Sequence, residues 1–246
     1  MPGLLLRAVF GLYASLAFLV IVLLLLCPVL IAAPILPLRR TIGRWAVRAW
    51  LLSIGVRFQV QGRQNLPSGP CVVVCNHASY VDGIVLTAAL PSRFSFLVQH
   101  RARSWPYVGL VIRRMGVRFV NRESPRQAAC AVLGLIRGAR RGDSFAIFPE
   151  GTFRRAPGLQ PFHTGAFLVA AKAGVPIVPV AMRGTRNLLA DGAPWPSWSS
   201  VEIEILTPLE SRETHRAAAR DMQDLAHRQI EQHCGEAGAS GTGRSP

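Results

Sequence analysis

Cys71-Val72-Val73-Val74-Cys75-Asn76-His77-Ala78-Ser79-Tyr80-Val81-Asp82 holds both a structural and a chemical signal. Its first five residues are apolar and β-branched at the centre, the composition of a short strand buried on both faces. Alternate strand residues share a face, so Cys71 and Cys75 point to the same side. Polar residues then begin abruptly at Asn76 and His77. From Val81 to Leu90 the pattern is helical, until Pro91 stops it. A base and a carboxylate therefore bracket a strand-to-helix turn. Five residues of continuous helix rotate by about 500°, which leaves His77 and Asp82 on different faces. They meet only if Ala78-Ser79-Tyr80 turns the chain and Asp82 stands near the helix N-terminus. There the carboxylate would accept from one imidazole nitrogen and leave the other as a base.

The pair alone is a weak signal. The chain has six His and five Asp, and a His-x4-Asp then arises by chance in roughly one such chain in eight. Support comes from order along the chain. A second polar island, Phe148-Pro149-Glu150-Gly151-Thr152, also follows an apolar run, Ser144 to Phe148. Two strand ends carrying reactive groups describe a site on the rim of a sheet.

Around these segments strands and helices alternate, which makes the fold class α/β. Strands are expected at Arg57–Gln61, Cys71–Cys75, Phe94–Val98, Val117–Val120, Ser144–Phe148, Val175–Arg183 and Val201–Ile205. Pro176 and Pro179 suggest an edge strand or a strand end. Helices are expected at Thr41–Ile54, Val81–Leu90, Val108–Met115, Gly165–Ala173 (closed by Gly174) and Ser211–Cys234. A further one starts at Ser124-Pro125-Arg126-Gln127, with Ser capping, Pro in the first turn and Gln completing a capping box, and runs to Arg141. There is no internal repeat. The organisation reads as an anchor at 1–40, an interfacial amphipathic helix at 41–55, a catalytic domain at 56–234 and a disordered Gly/Ser tail at 235–246.

The chain has 246 residues, and half are hydrophobic, enough for one domain with additions. Its mean hydropathy of +0.29 is raised by the N-terminus, where no charged side chain occurs from Ala8 through Leu38. The stretch Ala8–Cys27 is about 30 Å long as a helix, the thickness of a bilayer's hydrocarbon core. It exceeds the apolar region of a cleaved signal peptide and leads into Arg39 and Arg40, so it reads as a retained anchor. It either spans the bilayer or re-enters after a kink at Pro28. If it spans once, Arg39, Arg40, Arg44 and Arg48 outweigh Arg7 and put the body in the cytoplasm. Trp45 and Trp50 suit a membrane interface, or else pack an ordinary surface helix on the core.

The net charge is +15, and all basic residues but Lys172 are Arg. Behind an anchor, such a surface points to anionic lipid headgroups. Nucleic acid is not expected, because no binding motif accompanies the charge. The five Cys show no zinc-ligand spacing and read as buried free thiols. No G-x-S-x-G elbow and no P-loop occur, so no covalent acyl-enzyme is expected and no metal is assigned. The natural use of a lone His-Asp pair is to deprotonate a substrate hydroxyl.

The chain resembles the bacterial lysophosphatidic acid acyltransferase family of glycerolipid acyltransferases in four ordered blocks within residues 71–183. They are Asn76-His77-x4-Asp82, Gly116-Val117-Arg118-Phe119-Val120-Asn121-Arg122, Phe148-Pro149-Glu150-Gly151-Thr152 and Val175-Pro176-Ile177-Val178-Pro179-Val180. The resemblance implies a mixed central sheet flanked by helices, with an N-terminal anchor helix or helical hairpin. It makes His77 and Asp82 the catalytic residues. It assigns substrate contacts to Asn76, Arg122, Glu150, Gly151, Thr152 and Pro176. The family commonly carries Arg after Glu-Gly-Thr. Here Phe153 stands there, and Arg154 or Arg155 would supply the charge. Where the family has lysines after the third strand, this chain has Gln99, His100 and Arg101, and Arg101 or Arg103 would substitute.

The implied reaction moves a fatty acyl group from acyl-CoA or acyl-carrier protein to a lysophospholipid acceptor, with no other cofactor, at the inner (cytoplasmic) membrane. Membrane lipids are the surrounding partners. Backbone amides near the pair or near Gly151 would hold the oxyanion, and Glu150 would orient the acceptor or a neighbouring Arg. Acylation of another lyso-lipid, such as a lyso-ornithine lipid, and a non-catalytic anionic-lipid-binding role are the alternatives.

Overall fold

The computed structural model describes residues 2–210 and 215–236. The helices are α1 (Pro2–Ala17), α2 (Cys27–Ala32), α3 (Leu36–Ser53), α4 (Asp82–Ala89), α5 (Val108–Arg114), α6 (Pro125–Arg140), α7 (Gly165–Ala173), α8 (Thr185–Leu188) and α9 (Arg216–His233). The strands are β1 (Phe58–Gln61), β2 (Val72–Cys75), β3 (Phe94–Gln99), β4 (Arg118–Val120), β5 (Ser144–Ile147), β6 (Ile177–Arg183) and β7 (Val201–Ile205). They form one mixed sheet in the order β1-β7-β6-β2-β5-β3-β4, parallel except between β6 and β7.

β2 sits near the centre, and its uninterrupted apolar sequence follows from burial on both faces. Cys71, Val73 and Cys75 join the core beneath α3 and α4 with Trp50 and Leu86. Val72 and Val74 join the core beneath α6, α7 and α9 with Leu135, Phe167 and Met222. Each fully buried valine contributes roughly 1.5–3 kcal/mol relative to exposure.

β6 is an interior strand, so Pro176 fits the expected strand end and Pro179 departs from the expectation. Pro176 precedes it, and the Pro176 carbonyl accepts from Val72 N–H at 3.0 Å. Pro179 lies mid-strand, where its missing N–H would interrupt the ladder with β7. The partner chain absorbs this by carrying one residue too many. Ala181 faces Glu204, yet Ile177 bridges Leu209 rather than residue 208. A bulge is one of the few places in a sheet where proline is tolerated.

The N-terminal segment is a hairpin. Its first arm stays helical through Pro28 because the turns at Phe18–Leu26 widen to a π-helix, with Cys27 N–H bonded to Val22 O five residues back. The wider turn makes room for the proline ring. The chain reverses later, at Ala33–Ile35, and α3 starts at Leu36 with Pro37 in its first turn. The helices on either side of the bend end at Ala32 and begin at Leu36.

The two arms lie side by side. Trp50 Nε1 donates to Ala14 O at 3.0 Å, Tyr13 OH donates to Ser53 O at 2.9 Å, and Phe18 meets Trp50 edge-on at 5.1 Å. Trp50 is thus a core residue, whereas Trp45 is exposed beneath Arg48. Arg44 and Arg48 donate to Ala88 O at the end of α4, where the helix dipole favours cations. Leu5–Ala32 is one helix long and apolar enough to cross a membrane, and its outer face exposes Leu12, Leu16, Leu19 and Leu24.

Of the expected tail, residues 237–246 lie outside the described residues, as do 211–214 of the expected terminal helix. Glu236 is placed, paired to Arg186 at 2.8 Å.

Candidate active site

The turn between β2 and α4 brings His77 and Asp82 together. Asp82 opens α4 and is fully buried. Its Oδ2 accepts from the backbone N–H of Ala78 at 2.6 Å and of Ser79 at 2.8 Å, and stands 2.7 Å from His77 Nδ1. A carboxylate oxygen already receiving two amides is an acceptor, so Nδ1 carries the ring proton and Nε2 keeps its lone pair. The carboxylate that orients the imidazole also closes the turn. The imidazole is 18% exposed. Phe148 stacks on it at 4.3 Å, and Phe153 meets it edge-on at 4.7 Å.

β5 is hydrogen-bonded beside β2, so the loop after it reaches the same rim. Glu150 is buried there. Its Oε1 accepts from His77 N–H at 2.6 Å and its Oε2 from Gln160 N–H at 2.8 Å, which ties the two loops together. Burial pushes its pKa up to about 7, against the pull of those two backbone hydrogen bonds and with a push from the Asp82 charge.

Gly151 has φ +79°, and a Cβ there would lie 3.0 Å from both Arg122 Nη1 and a His163 ring carbon. Glycine is what lets the guanidinium settle against this loop. Arg122 is carried by the segment just after β4. It is exposed to solvent, and partial desolvation of the guanidinium lowers its pKa while it stays a cation.

Residues 57–183 match the acyltransferase family. The 1-acyl-sn-glycerol-3-phosphate acyltransferase of Borreliella burgdorferi is 34% identical over 65% of the chain. The lyso-ornithine lipid O-acyltransferase of Pseudomonas aeruginosa is 31% identical over 75% of the chain and 76% of that protein.

The chain belongs to the 1-acyl-sn-glycerol-3-phosphate acyltransferase family.

It spans 63% of the length of the Borreliella protein. Its fold is that of the crystal structure of the Thermotoga maritima 1-acyl-sn-glycerophosphate acyltransferase, with TM-score 0.72 at 22% identity, covering 92% of this chain and 97% of that one.

Not every family block lies at the His-Asp pair. Pro176 is at the opposite end of the sheet: Ile177 faces Val72, and His77 lies five residues further on, about 17 Å away along the strand. The substrate contact expected of Pro176 is therefore not one made at the reacting hydroxyl. Asn76 is buried and spends its amide on the sheet, donating to Met182 O at 2.9 Å and accepting from Met182 N–H at 2.7 Å. It prolongs the β2–β6 ladder and fixes where His77 leaves it.

Thr152 is exposed, with its hydroxyl 3.4 Å from Phe153 O. The side chains of Arg154 and Arg155 are exposed, and their carbonyls accept from Arg186 Nη1 at 2.8 and 3.1 Å. Arg155 leans toward Gly192. Arg101 pairs with Glu123, the neighbour of Arg122, at 2.5 Å. The Ser124 cap forms by accepting from Gln127 N–H, but the Gln127 side chain accepts from Asn121 instead of completing the box. The amides of Ala78 and Ser79 are taken by Asp82, and that of Gly151 by Phe148 O, so none of these three is open to an oxyanion.

Sequence reasoning missed the aromatic wall. Tyr80 meets Phe153 edge-on at 4.7 Å and donates to Asp191 at 3.0 Å, and Ser79 Oγ donates to Leu189 O at 2.6 Å. Phe148, Phe153 and Tyr80 were visible beside the motif residues. Asp191 and Leu189 gave no signal, being more than a hundred residues away.

Proposed function

We propose that the chain transfers a fatty acyl group from an acyl thioester to the free hydroxyl of lysophosphatidic acid, giving phosphatidic acid. The observation that carries this reading is the oriented imidazole: Nδ1 is held by buried Asp82 at 2.7 Å, and the side chain keeps 18% of its surface exposed. His77 Nε2 takes the proton of the acceptor hydroxyl as its oxygen attacks the thioester carbonyl. Asp82 stabilises the imidazolium. Collapse of the tetrahedral intermediate expels the thiolate, which takes the same proton from His77 and leaves as a thiol. A base in this role contributes typically about 10²–10⁴-fold.

Arg122 beside Gly151 clamps the acceptor phosphate, with Arg154 or Arg155 adding charge from the loop. Glu150 and Asn76 hold His77 through its backbone, and Gly151 and Thr152 form the acceptor side. The donor is acyl-CoA or acyl-carrier protein. Both are anionic, and a net charge of +15 steers either. The apolar face of the hairpin seats the protein in the inner (cytoplasmic) membrane with its body toward the cytoplasm, where thioester donors are found.

The test is acyl transfer by detergent-purified protein given labelled acyl-CoA and a panel of lyso-acceptors. Turnover with lysophosphatidic acid that disappears in His77→Ala is expected. Acceptor-independent thioester hydrolysis would sink the reading and indicate a thioesterase.

A second reading, acylation of a lyso-ornithine lipid, is supported by the match to the Pseudomonas enzyme, which extends over 75% of the chain, and by the aromatic Phe153, which stands against His77 where the family commonly has Arg. It requires turnover with a phosphate-free acceptor that is indifferent to Arg122→Ala.

A further inference from the structure

We infer that a cavity at the far end of the sheet binds the phosphate headgroup of an anionic bilayer phospholipid, at a site separate from the acyl-transfer site. The cavity measures about 260 Å³ and is lined by Arg40, Arg93, Arg118, Asp143, Ser95 and the hairpin residue Leu36, among others. It opens where β3, β4 and β5 begin, since Arg118 and Ser144 are their strands' first residues. His77 lies beyond the opposite end of the neighbouring strand, in which Val72 faces Phe145.

The three guanidiniums play different parts. Arg40 is spent on structure, donating to the carbonyls of Met115, Ser92, Arg93 and Gly116. Arg93 donates to the carbonyls of Ser68 and Pro67, and its Nε is buried without a partner among the described residues. Arg118 makes one long contact, 3.4 Å to Asp143, with about half its side chain exposed. A guanidinium carries five N–H donors, so Arg93 and Arg118 together keep more donors than they use. Asp143 is the one carboxylate on the wall among the described residues, and it is turned to Arg118. A multidentate anion is what such a wall lacks, and phosphate matches the guanidinium fork.

The hairpin makes that phosphate a lipid's. Leu36 forms part of the wall, and Val29, Ile35 and Leu38 are exposed around the bend. The carbonyls of the bend are capped from within. Arg39 donates to Ala33 O and Pro34 O, and Arg114 donates to Ile31 O at 2.9 Å from Nε. A bend whose carbonyls need little water, apolar outside and arginine-rich beneath, suits the depth just under the headgroups. Anionic leaflets attract such clusters. A lipid whose tails run along Ile35 and Leu38 places its phosphate in the cavity.

Native mass spectrometry of the detergent-purified full chain, offered phosphatidylglycerol or phosphatidylcholine, tests this. Wild type should retain one phosphatidylglycerol in preference. Arg118→Ala, and Val117→Trp, which fills the cavity without changing charge, should each lower that preference about tenfold, the scale of one charge-assisted contact. Arg137→Ala on α6, away from the cavity, should not. Melting curves and acyl transfer in micelles, both expected to stay at wild-type values in Arg118→Ala, show that the fold is intact. The inference is overturned if both cavity variants keep the preference. It is also overturned if Arg137→Ala lowers the preference equally, which means general charge. Displacement of the lipid by inorganic phosphate alone would overturn it too, because the site would then be one for the free ion.

Discussion

The turn after β2 and the loop after β5 stand side by side on one rim, yet they are held by opposite means. The first is closed by its own residues: Asp82 gathers the amides of Ala78 and Ser79 and the ring of His77 within six positions. The second is held from outside. Arg186 grips the carbonyls of Arg154 and Arg155, Glu236 accepts from Gly158 N–H, and Gln223 donates to Phe162 O. Glu150 joins the two loops by a hydrogen bond to His77 N–H, and His77 and Tyr80 pack on Phe148 and Phe153 across the same gap. In the proposed mechanism the base then belongs to a locally determined turn, and the acceptor contacts to a loop whose shape depends on α8, α9 and the segment after it.

The largest effect should come from breaking the local turn. Asp82→Asn keeps an acceptor for the turn amides but offers N–H to His77 Nδ1, which moves the ring proton to Nε2. We expect kcat to fall about 10²–10³-fold with little change in KM. Steady-state kinetics beside a melting curve would show it, and an unchanged kcat would dissolve the comparison. Asp82→Ala should also lose stability, since two buried amides lose their acceptor at about 1–3 kcal/mol each.

Glu150 sharpens the comparison through pH. Its folded pKa, about 7, lies above its ordinary value of 4.5. Between these values the folded state holds a proton that the unfolded chain has released, so stability falls as pH rises through that window and levels off above it. The full drop is on the order of 3 kcal/mol. Denaturant titrations of wild type from pH 4.5 to 8 should show the fall, and Glu150→Gln should flatten it.

Next in size is Arg122→Ala. It should raise KM for a phosphate-bearing acceptor about 10–100-fold, the value of one charge-assisted phosphate contact, and leave the donor's KM alone. Arg154→Ala and Arg155→Ala should each do less. A larger effect from either would move the phosphate clamp onto the externally held loop. The smallest effect is expected of Arg186→Ala. Hydrogen exchange in residues 154–158 should speed up as local opening becomes about 1–2 kcal/mol easier, with kcat nearly unchanged.

Legibility followed the same division. Gly165–Ala173 and Val201–Ile205 were readable to the residue, because a terminal glycine in one and strict alternation in the other mark them locally. The His77–Asp82 contact was readable because turn geometry over five residues admits few solutions. Pro179 misled because proline reports only on its own missing donor. That β7 would bulge opposite it depends on a partner more than twenty residues away. The position of the hairpin's bend was not legible, because the π-turns that let the helix pass Pro28 leave no mark in an unbroken run of Leu, Val and Ile.

The amino-acid sequence by itself determined the α/β alternation, the apolar N-terminal arm, the surplus of arginine and the pairing of an imidazole with a carboxylate. Each of these rests on hydrophobic period, composition or short-range backbone geometry. Only the tertiary structure decided that Glu150 grips His77, that Pro176 stands far from it and that Asn76 serves the ladder. It alone gathered Arg93 and Arg118 around a cavity at the far end of the sheet. Those outcomes depend on strand order and on which loops share a rim, and both are set by long-range packing that no local pattern encodes.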